Sequence, residues 1–319
     1  MISYVLRRLG YAVVMLAAIS VIVFFFTQAL PGNVARQILG QNATPAEVSR
    51  LRALLGINKP LITQYAEWIR HLVTLNLGTS LTSGTSVTHL IADRAVNSAV
   101  LVGITAVVLI PSVLILGVLA ARHPGGVVDS IVSGAVLFVL ALPEFIIAIL
   151  IVVVLATNVF HVLPPTSVIS TGAGVSLWSQ WNLFVLPVLA LVVGSLPYLT
   201  ESVKTVMREE LGSEHITWAR LTGIPEVRLL WRHALPNAIG PTLQVAGTTL
   251  VYLTGGIVAV ENVFAFPGIG AALTAAVANR DIPVVQAIAM LLAAVALVVY
   301  LAADVLHLLL SPRLRTAGQ

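Results

Sequence analysis

Six stretches of this chain are long and apolar enough to cross a lipid bilayer, and that property restricts its fold more than any other. A crossing helix takes about 20 mostly apolar residues, because backbone groups left unpaired in hydrocarbon each cost several kcal/mol. Residues 9–30, 97–121, 131–157, 183–200, 238–260 and 282–303 meet that requirement. Five of the six carry no charged side chain, and the third carries only Glu144. An ionised group at the centre of a span costs about 2.5 to 3.5 kcal/mol, so the absence is informative. The expected fold is all-α: a polytopic membrane protein with six transmembrane helices. Composition agrees, since 58% of the 319 residues are hydrophobic and 9% charged, too little polar surface for a soluble globule. With no cysteine, disulfides and thiolate metal sites are excluded. The first run follows Arg7-Arg8 as a secretory signal would. Its 22 residues exceed a usual signal core, however, and Gln28-Ala29-Leu30-Pro31 offers no small-residue cleavage site, so it is expected to be retained.

The net charge of +4 sits mainly in connecting segments, where it reads as membrane topology rather than as a nucleic-acid footprint. Residues 158–182 contain no Lys or Arg and residues 261–281 contain only Arg280, which places both connections outside. The opposite side holds Arg7, Arg8, Arg122, Lys204, Arg208, Arg220, Arg228, Arg232, Arg313 and Arg315, so both termini are expected in the cytoplasm. The 64-residue stretch 31–94 is also basic, but segments of that length translocate regardless of charge.

That outer stretch carries helix punctuation. Thr44-Pro45-Ala46-Glu47 predicts a capping box with proline at the first helical position, stopped by Gly56. A second surface helix is expected from Pro60 toward Leu75, with Leu61, Tyr65, Trp68, Ile69 and Leu72 on one apolar face. The segment either caps the membrane body or presents a docking surface to an external delivery protein. On the inner side, residues 201–237 mix ten charged residues with apolar ones at helical spacing, a pattern suited to meeting protein. Leu211, His215 and Trp218 fall on one face by i, i+4, i+7 spacing, Gly223 can take a left-handed C-terminal position, and Pro225 with Glu226 starts another helix. Helix, sharp turn and helix result.

Gly223, nine intervening residues and then His233-Ala234-Leu235-Pro236 resemble the cytoplasmic signature of ABC importer permeases: a Glu-Ala-Ala-like start, a glycine and an Ile-x-Leu-Pro end. Thr217-Trp218-Ala219 stands where Glu-Ala-Ala would be and His233 stands for Ile, while Ala219, Gly223, Leu235 and Pro236 keep the pattern. Other pieces resemble the first permease of the dipeptide, oligopeptide and nickel branch. They include Pro31-Gly32-Asn33, Leu55-Gly56-Ile57-Asn58-Lys59-Pro60, Leu77-Gly78-Thr79-Ser80 and Leu163-Pro164-Pro165-Thr166-Ser167. The segments 263–270 (Val-Phe-Ala-Phe-Pro-Gly-Ile-Gly), 281–286 (Asp-Ile-Pro-Val-Val-Gln) and 311–315 (Ser-Pro-Arg-Leu-Arg) complete the series.

The resemblance implies a type I permease of a bacterial inner membrane. Its first helix and extracytoplasmic segment would occupy residues 1–95, the permease domain 96–310 and a cytoplasmic tail 311–319. It implies partners too: a second permease forming a heterodimer, two ATPase subunits or one fused pair, an extracytoplasmic binding protein and membrane lipid, but no nucleic acid. ATP and Mg would be held by the ATPase partners, leaving this chain without a cofactor, a metal site or a catalytic residue. The cytoplasmic turn would sit in a groove on an ATPase through His215, Thr217, Trp218, Ala219, Arg220, Gly223, Ile224, Leu235 and Pro236. Trp218 would be the apolar anchor and Arg220 a partner for an acidic ATPase residue. A connecting loop with Trp218 in the lipid interface and Arg220 facing headgroups is the plainer alternative. The implied cargo is a di- or oligopeptide, with a nickel complex second.

Glu144 lies 13 residues from each end of its predicted span, about 20 Å along a straight helix, too deep for a short side chain to reach water. It either hydrogen-bonds between helices or lines a translocation path, where a carboxylate could steer an amino group. Pro143, Pro187 and Pro197 can bend their helices, and Gly255-Gly256 allows close approach. Three other classes compete. An intramembrane enzyme lacks His-Glu-x-x-His and Gly-x-Ser-x-Gly here, and a self-fuelled pump lacks a phosphate-binding Gly-x-x-x-x-Gly-Lys loop. An ion-coupled carrier would place more ionisable groups within its spans.

Overall fold

A computed structural model describes residues 2–29, 39, 42–54, 58–157, 160–169 and 177–310. The Pro31-Gly32-Asn33 motif, the Gly56 stop and the 311–319 tail lie outside the described residues. Among those described, helix dominates: α1 (Ile2–Ala29), α2 (Pro45–Leu54), α3 (Leu61–Val73), α4 (Val87–Arg122), α5 (Val127–Leu140), α6 (Glu144–Val152), α7 (Trp181–Leu211), α8 (Glu214–Leu221), α9 (Leu235–Val263), α10 (Ile269–Ala278) and α11 (Ile282–Leu310). Four of them, α1, α4, α7 and α11, are each long and apolar enough to cross a bilayer, and α5 with α6 passes the same test only as a pair. The 29-residue α9 covers the remaining expected stretch.

The third span corrects the expectation of one continuous helix over 131–157. Helix α5 ends at Leu140, Pro143 stands in an extended conformation, and α6 leaves at 101° to α5. Proline explains the break: it has no N–H for the preceding turn, and its ring disfavours helical backbone at the residue before it. Neither arm, Val127–Leu140 or α6 with its π-helical continuation to Thr157, is long enough to cross alone. Glu144 therefore occupies the first turn of α6 rather than the middle of a straight helix. By contrast Pro187 and Pro197 lie inside α7, which continues through both.

The chain forms two compact units. The first joins Met1–Asn97 to Gly268–Val295. Within it Phe24 of α1 is buried under Tyr65 and Trp68 of α3, ring centroids 5.3 and 5.7 Å away, and the Tyr65 hydroxyl lies 2.9 Å from Ser20 Oγ. The expected apolar face of α3 is thus used, except that Leu61 stays exposed. The capping box forms as predicted: Thr44 donates through its N–H and hydroxyl to Glu47 at 2.8 Å, and Glu47 N–H returns a bond to Thr44 Oγ1. Those donors hold the Glu47 carboxyl below its ordinary range. A small core of Val87, Ile91, Ile269, Ala272, Val284 and Ile288 closes the unit. Above it, buried Asp281 accepts from Ser80 Oγ at 2.5 Å, Thr82 Oγ1 at 2.7 Å and Leu81 N–H at 3.1 Å.

The second unit joins Ser98–Pro267 to Ala296–Gln319. Its core runs along α7, against which α5, α6 and α9 pack. Phe264 and Phe266 are fully buried, Phe266 edge-on to Phe184 at 5.6 Å. Ser167 N–H donates to Phe264 O at 2.7 Å, which ties the 163–167 motif to the start of the 263–270 motif. Helix α9 runs on to Val263, so Glu261, expected in an outer loop, is a helical residue that is fully buried and bonded to Ser98 Oγ at 2.5 Å.

Candidate functional site

Two regions of the second unit carry the residues singled out by sequence. The turn between α7 and α9 comes first. Helix α7 stops at Leu211, Gly212 and Ser213 interrupt it, and α8 begins at Glu214 with Ser213 extended at its N-cap. This interruption corrects the expected Leu211, His215, Trp218 face, because the three residues do not share one helix. The buried side of α8 is instead Ile216, which is fully enclosed, with Ala219 half-buried beside it. His215 points to solvent and pairs with Glu210 at 2.9 Å, and Asn237 donates to the same carboxylate oxygen at 2.7 Å.

The end of α8 is closed as its glycine predicts. Gly223 has φ +81°, its N–H donates to Arg220 O at 3.1 Å, and Ile224 N–H donates to Ala219 O at 3.3 Å. This bond pair is a Schellman cap, which satisfies carbonyls the helix would otherwise leave open and needs a left-handed residue after the last turn. Pro225 then caps the turn Glu226–Arg228, and the chain widens into a π-helical segment, Leu229–Ala234, before α9. Pro236 accounts for the widening: it cannot donate to the carbonyl four residues back, so the chain accommodates it in the first turn of α9. Ile224 and Leu235 pack inward, whereas Thr217, Arg220, Gly223 and Pro236 are exposed.

Trp218 is 69% exposed. Leu221, Val227 and Trp231, which sequence reasoning did not select, are also exposed large apolar side chains of this turn. They could have been found from Ile216: once that residue is set inward, Leu221 and Trp218 face away from it. Arg220 is already engaged, with Nη2 3.0 Å from Glu226 Oε1. The Arg220 hydrogen bond holds the Glu226 carboxyl below its ordinary value, against desolvation, with Arg122 and His123 adding to the effect. Because the folded carboxyl titrates lower than in the unfolded chain, the contribution of the pair is complete above the ordinary carboxylate range. It is lost as pH falls through the lowered folded value. With both side chains a third to a half exposed, it amounts to no more than about 1 kcal/mol. Acidification is therefore expected to lower the protection of the Gly223 amide, measured against its slower intrinsic exchange in acid, before that of the enclosed Ile216 amide. Identical relative protection at neutral and acid pH would remove the pair from any role in holding the turn.

The second region surrounds Glu144. Its Oε1 is buried without a hydrogen-bond partner among the described residues, as are the hydroxyls of Ser195 and Thr200 on α7. The carboxylate fills the notch left by Gly256 on α9, where any Cβ would overlap it, and its Cγ lies 3.4 Å from where a Cβ on Gly194 would stand. Gly255 faces open space, so only one glycine of the pair serves the close approach. A carboxyl oxygen enclosed without a donor is costly, and such groups mark either a bound water or a functional role. Among the described residues no cluster of three or more His, Asp or Glu could hold a metal ion.

The family described as binding-protein-dependent transport system inner membrane component matches residues 113–316, about two thirds of the chain. The chain belongs to this family. The corresponding N-terminal family of such membrane components matches residues 1–102. Among individual relatives of this inner membrane component, the dipeptide transport system permease protein DppB of Lactococcus lactis is 31% identical over 99% of this chain and 100% of its own. The probable peptide ABC transporter permease protein y4tP of Sinorhizobium fredii is 30% identical over 98% and 99%. The metal-staphylopine import system permease protein CntB of Staphylococcus aureus is 27% identical over all of both chains. Membership makes the chain a multi-pass transport subunit of the inner membrane, in keeping with its apolar helices.

Proposed function

We propose that this chain is one of two permease subunits of an ATP-driven importer and forms, with a second and homologous permease, the membrane path for di- or oligopeptides delivered by an external binding protein. Its ATPase partners carry the nucleotide and Mg, and the chain itself holds no cofactor. Residues 201–237 and both termini face the cytoplasm, and residues 31–94 face outward. The observation that carries this reading is the exposed apolar side chain of Trp218 on a short helix whose other face is anchored by Ile216 and whose end is fixed by the Gly223 cap. Exposed aromatic side chains on a rigid turn are what a groove on a partner recognises.

In this reading His215, Thr217, Trp218 and Ala219 lead into the ATPase groove. The capped Gly223-Ile224 turn sets the angle, Leu235-Pro236 roots it in α9, and Arg220 reaches an acidic partner residue by exchanging or sharing Glu226. Glu144 lines the path and meets the amino group of the cargo. The full-length likeness to two proteins named as peptide or dipeptide permeases supports peptide as cargo. The likeness to CntB favours a second reading, in which the cargo is a metal complex.

Copurification tests the assignment. Trp218→Ala is expected to weaken retention of the ATPase subunits by about 2 kcal/mol, roughly thirtyfold, as for a central anchor. Its retention of the second permease should be undiminished. An ATPase that binds the variant as tightly as wild type, or uptake that proceeds without any ATPase, would end this reading.

A further inference from the structure

The inner end of α7 is tied in two directions. Toward α5, Arg208 Nη2 lies 2.6 Å from Asp129 Oδ2, and Lys204 Nζ lies 3.5 Å from Asp129 Oδ1 and 2.8 Å from Ser133 Oγ. Asp129 Oδ2 also accepts Gly125 N–H at 2.8 Å, and Ser133 donates to its other oxygen at 3.2 Å. Lys204 and Asp129 are both buried, and Glu201 completes the charge at 2.7 Å from Lys204. Toward the turn, Glu210 binds His215 of α8 and Asn237 of α9 through one oxygen. Only one residue separates Arg208 from Glu210, so the final α7 turns stand between the two sets of contacts. A buried charge pair stabilises a protein weakly, because desolvation offsets attraction, but it fixes geometry since neither partner can leave alone.

We propose that Asp129, Lys204 and Arg208 are positioning residues that make the inner end of α7, the α4–α5 connection and the α8 turn move as one piece, so that a displacement of the docking turn reaches α5 and the broken span. The inference rests on the reading of the turn as an ATPase contact. Without the cluster, the ATPase would still seat on Trp218 and hydrolyse ATP, but α5 would follow its motion poorly. Asp129→Asn keeps the shape and one carbonyl acceptor, enough for the Gly125 N–H, while its NH2 replaces the oxygen that accepts from Ser133 and the charge is removed; Arg208→Lys keeps charge while removing the guanidinium reach.

Both variants are to be examined as the full complex in lipid vesicles with binding protein and peptide. Asp129→Asn is expected to lower peptide transported per ATP about tenfold, the size of a typical coupling effect, with ATP hydrolysis retained; Arg208→Lys should fall between it and wild type. A ratio equal to that of wild type in Asp129→Asn would overturn the proposal, as would a loss of hydrolysis in step with transport. A wild-type complex that transports without ATP would instead overturn the underlying reading and leaves a separate signature.

A distance measurement needs no charge-altering variant. The chain has no cysteine, so spin labels at Val127→Cys and Thr222→Cys, both exposed, report one defined pair. Their separation is expected to be the same in nucleotide-free and ATP-bound complexes and to broaden in Asp129→Asn. A separation that changes with nucleotide in the otherwise unaltered chain would refute the rigid link.

Discussion

Replacing Gly223 with valine is expected to cut peptide transport about tenfold while the ATPase continues to turn over. The backbone there has φ +81°, and a Cβ would meet nothing within 4 Å, so the penalty is conformational and not steric crowding. A β-branched residue in the left-handed region costs roughly 1 to 2 kcal/mol, which the turn relieves by unwinding the cap and rotating Trp218 away from its seat. At 1.4 kcal/mol per factor of ten, that is about a tenfold loss of the competent arrangement. Asparagine tolerates the left-handed region and should retain most of the activity. Transport and hydrolysis measured together in vesicles decide the matter: if valine and asparagine both couple like wild type, the turn is not a mechanical contact.

At the Glu144 notch, Gly256→Ala is expected to be damaging despite the small change. The new methyl overlaps the Glu144 carboxylate, and forced overpacking of a closed helix contact costs about 1 to 3 kcal/mol. The thermal midpoint of the purified complex and its uptake should both fall. Glu144→Ala combined with Gly256→Ala should recover stability relative to Gly256→Ala alone, giving an interaction energy of about 0.5 to 3 kcal/mol. Simple additivity would show that the two residues do not share one space. Glu144→Gln separates charge from shape at the same place. A loss confined to peptides with a free amino terminus, with acetylated peptides unaffected, assigns the carboxylate to the path; failed assembly assigns it to packing.

Much of the fold was legible because its signals are local. Long uncharged runs gave the long helices, Thr44 with Glu47 gave a capped helix start, and Gly223 gave a left-handed cap, each set by a few neighbouring residues. The misreadings came where competing local signals met. Hydropathy joined 131–157 into one helix, and Pro143 won by denying a hydrogen bond in mid-span. Helical spacing joined Leu211 to Trp218, and the Gly212-Ser213 interruption reset the phase, so Ile216 rather than His215 turned inward. Glu226 as the resident partner of Arg220, Gly256 as the seat of Glu144, and the Asp129 cluster depend on contacts between separate elements. No spacing in the sequence announces them.

Asp281 binds the 80–82 hydroxyls from some two hundred positions further along the chain, and this has a consequence for biosynthesis. A ribosome delivers residue 80 long before residue 281, so Ser80 and Thr82 must wait for their acceptor while nearly all of the remaining polypeptide is inserted. The Phe24, Tyr65 and Trp68 stack and the Thr44 cap need only early residues and can form at once. Truncated or stalled products ending before residue 281 would therefore expose an unclasped 80–82 segment, a natural target for surveillance proteases, and protection there would mark completion of the chain.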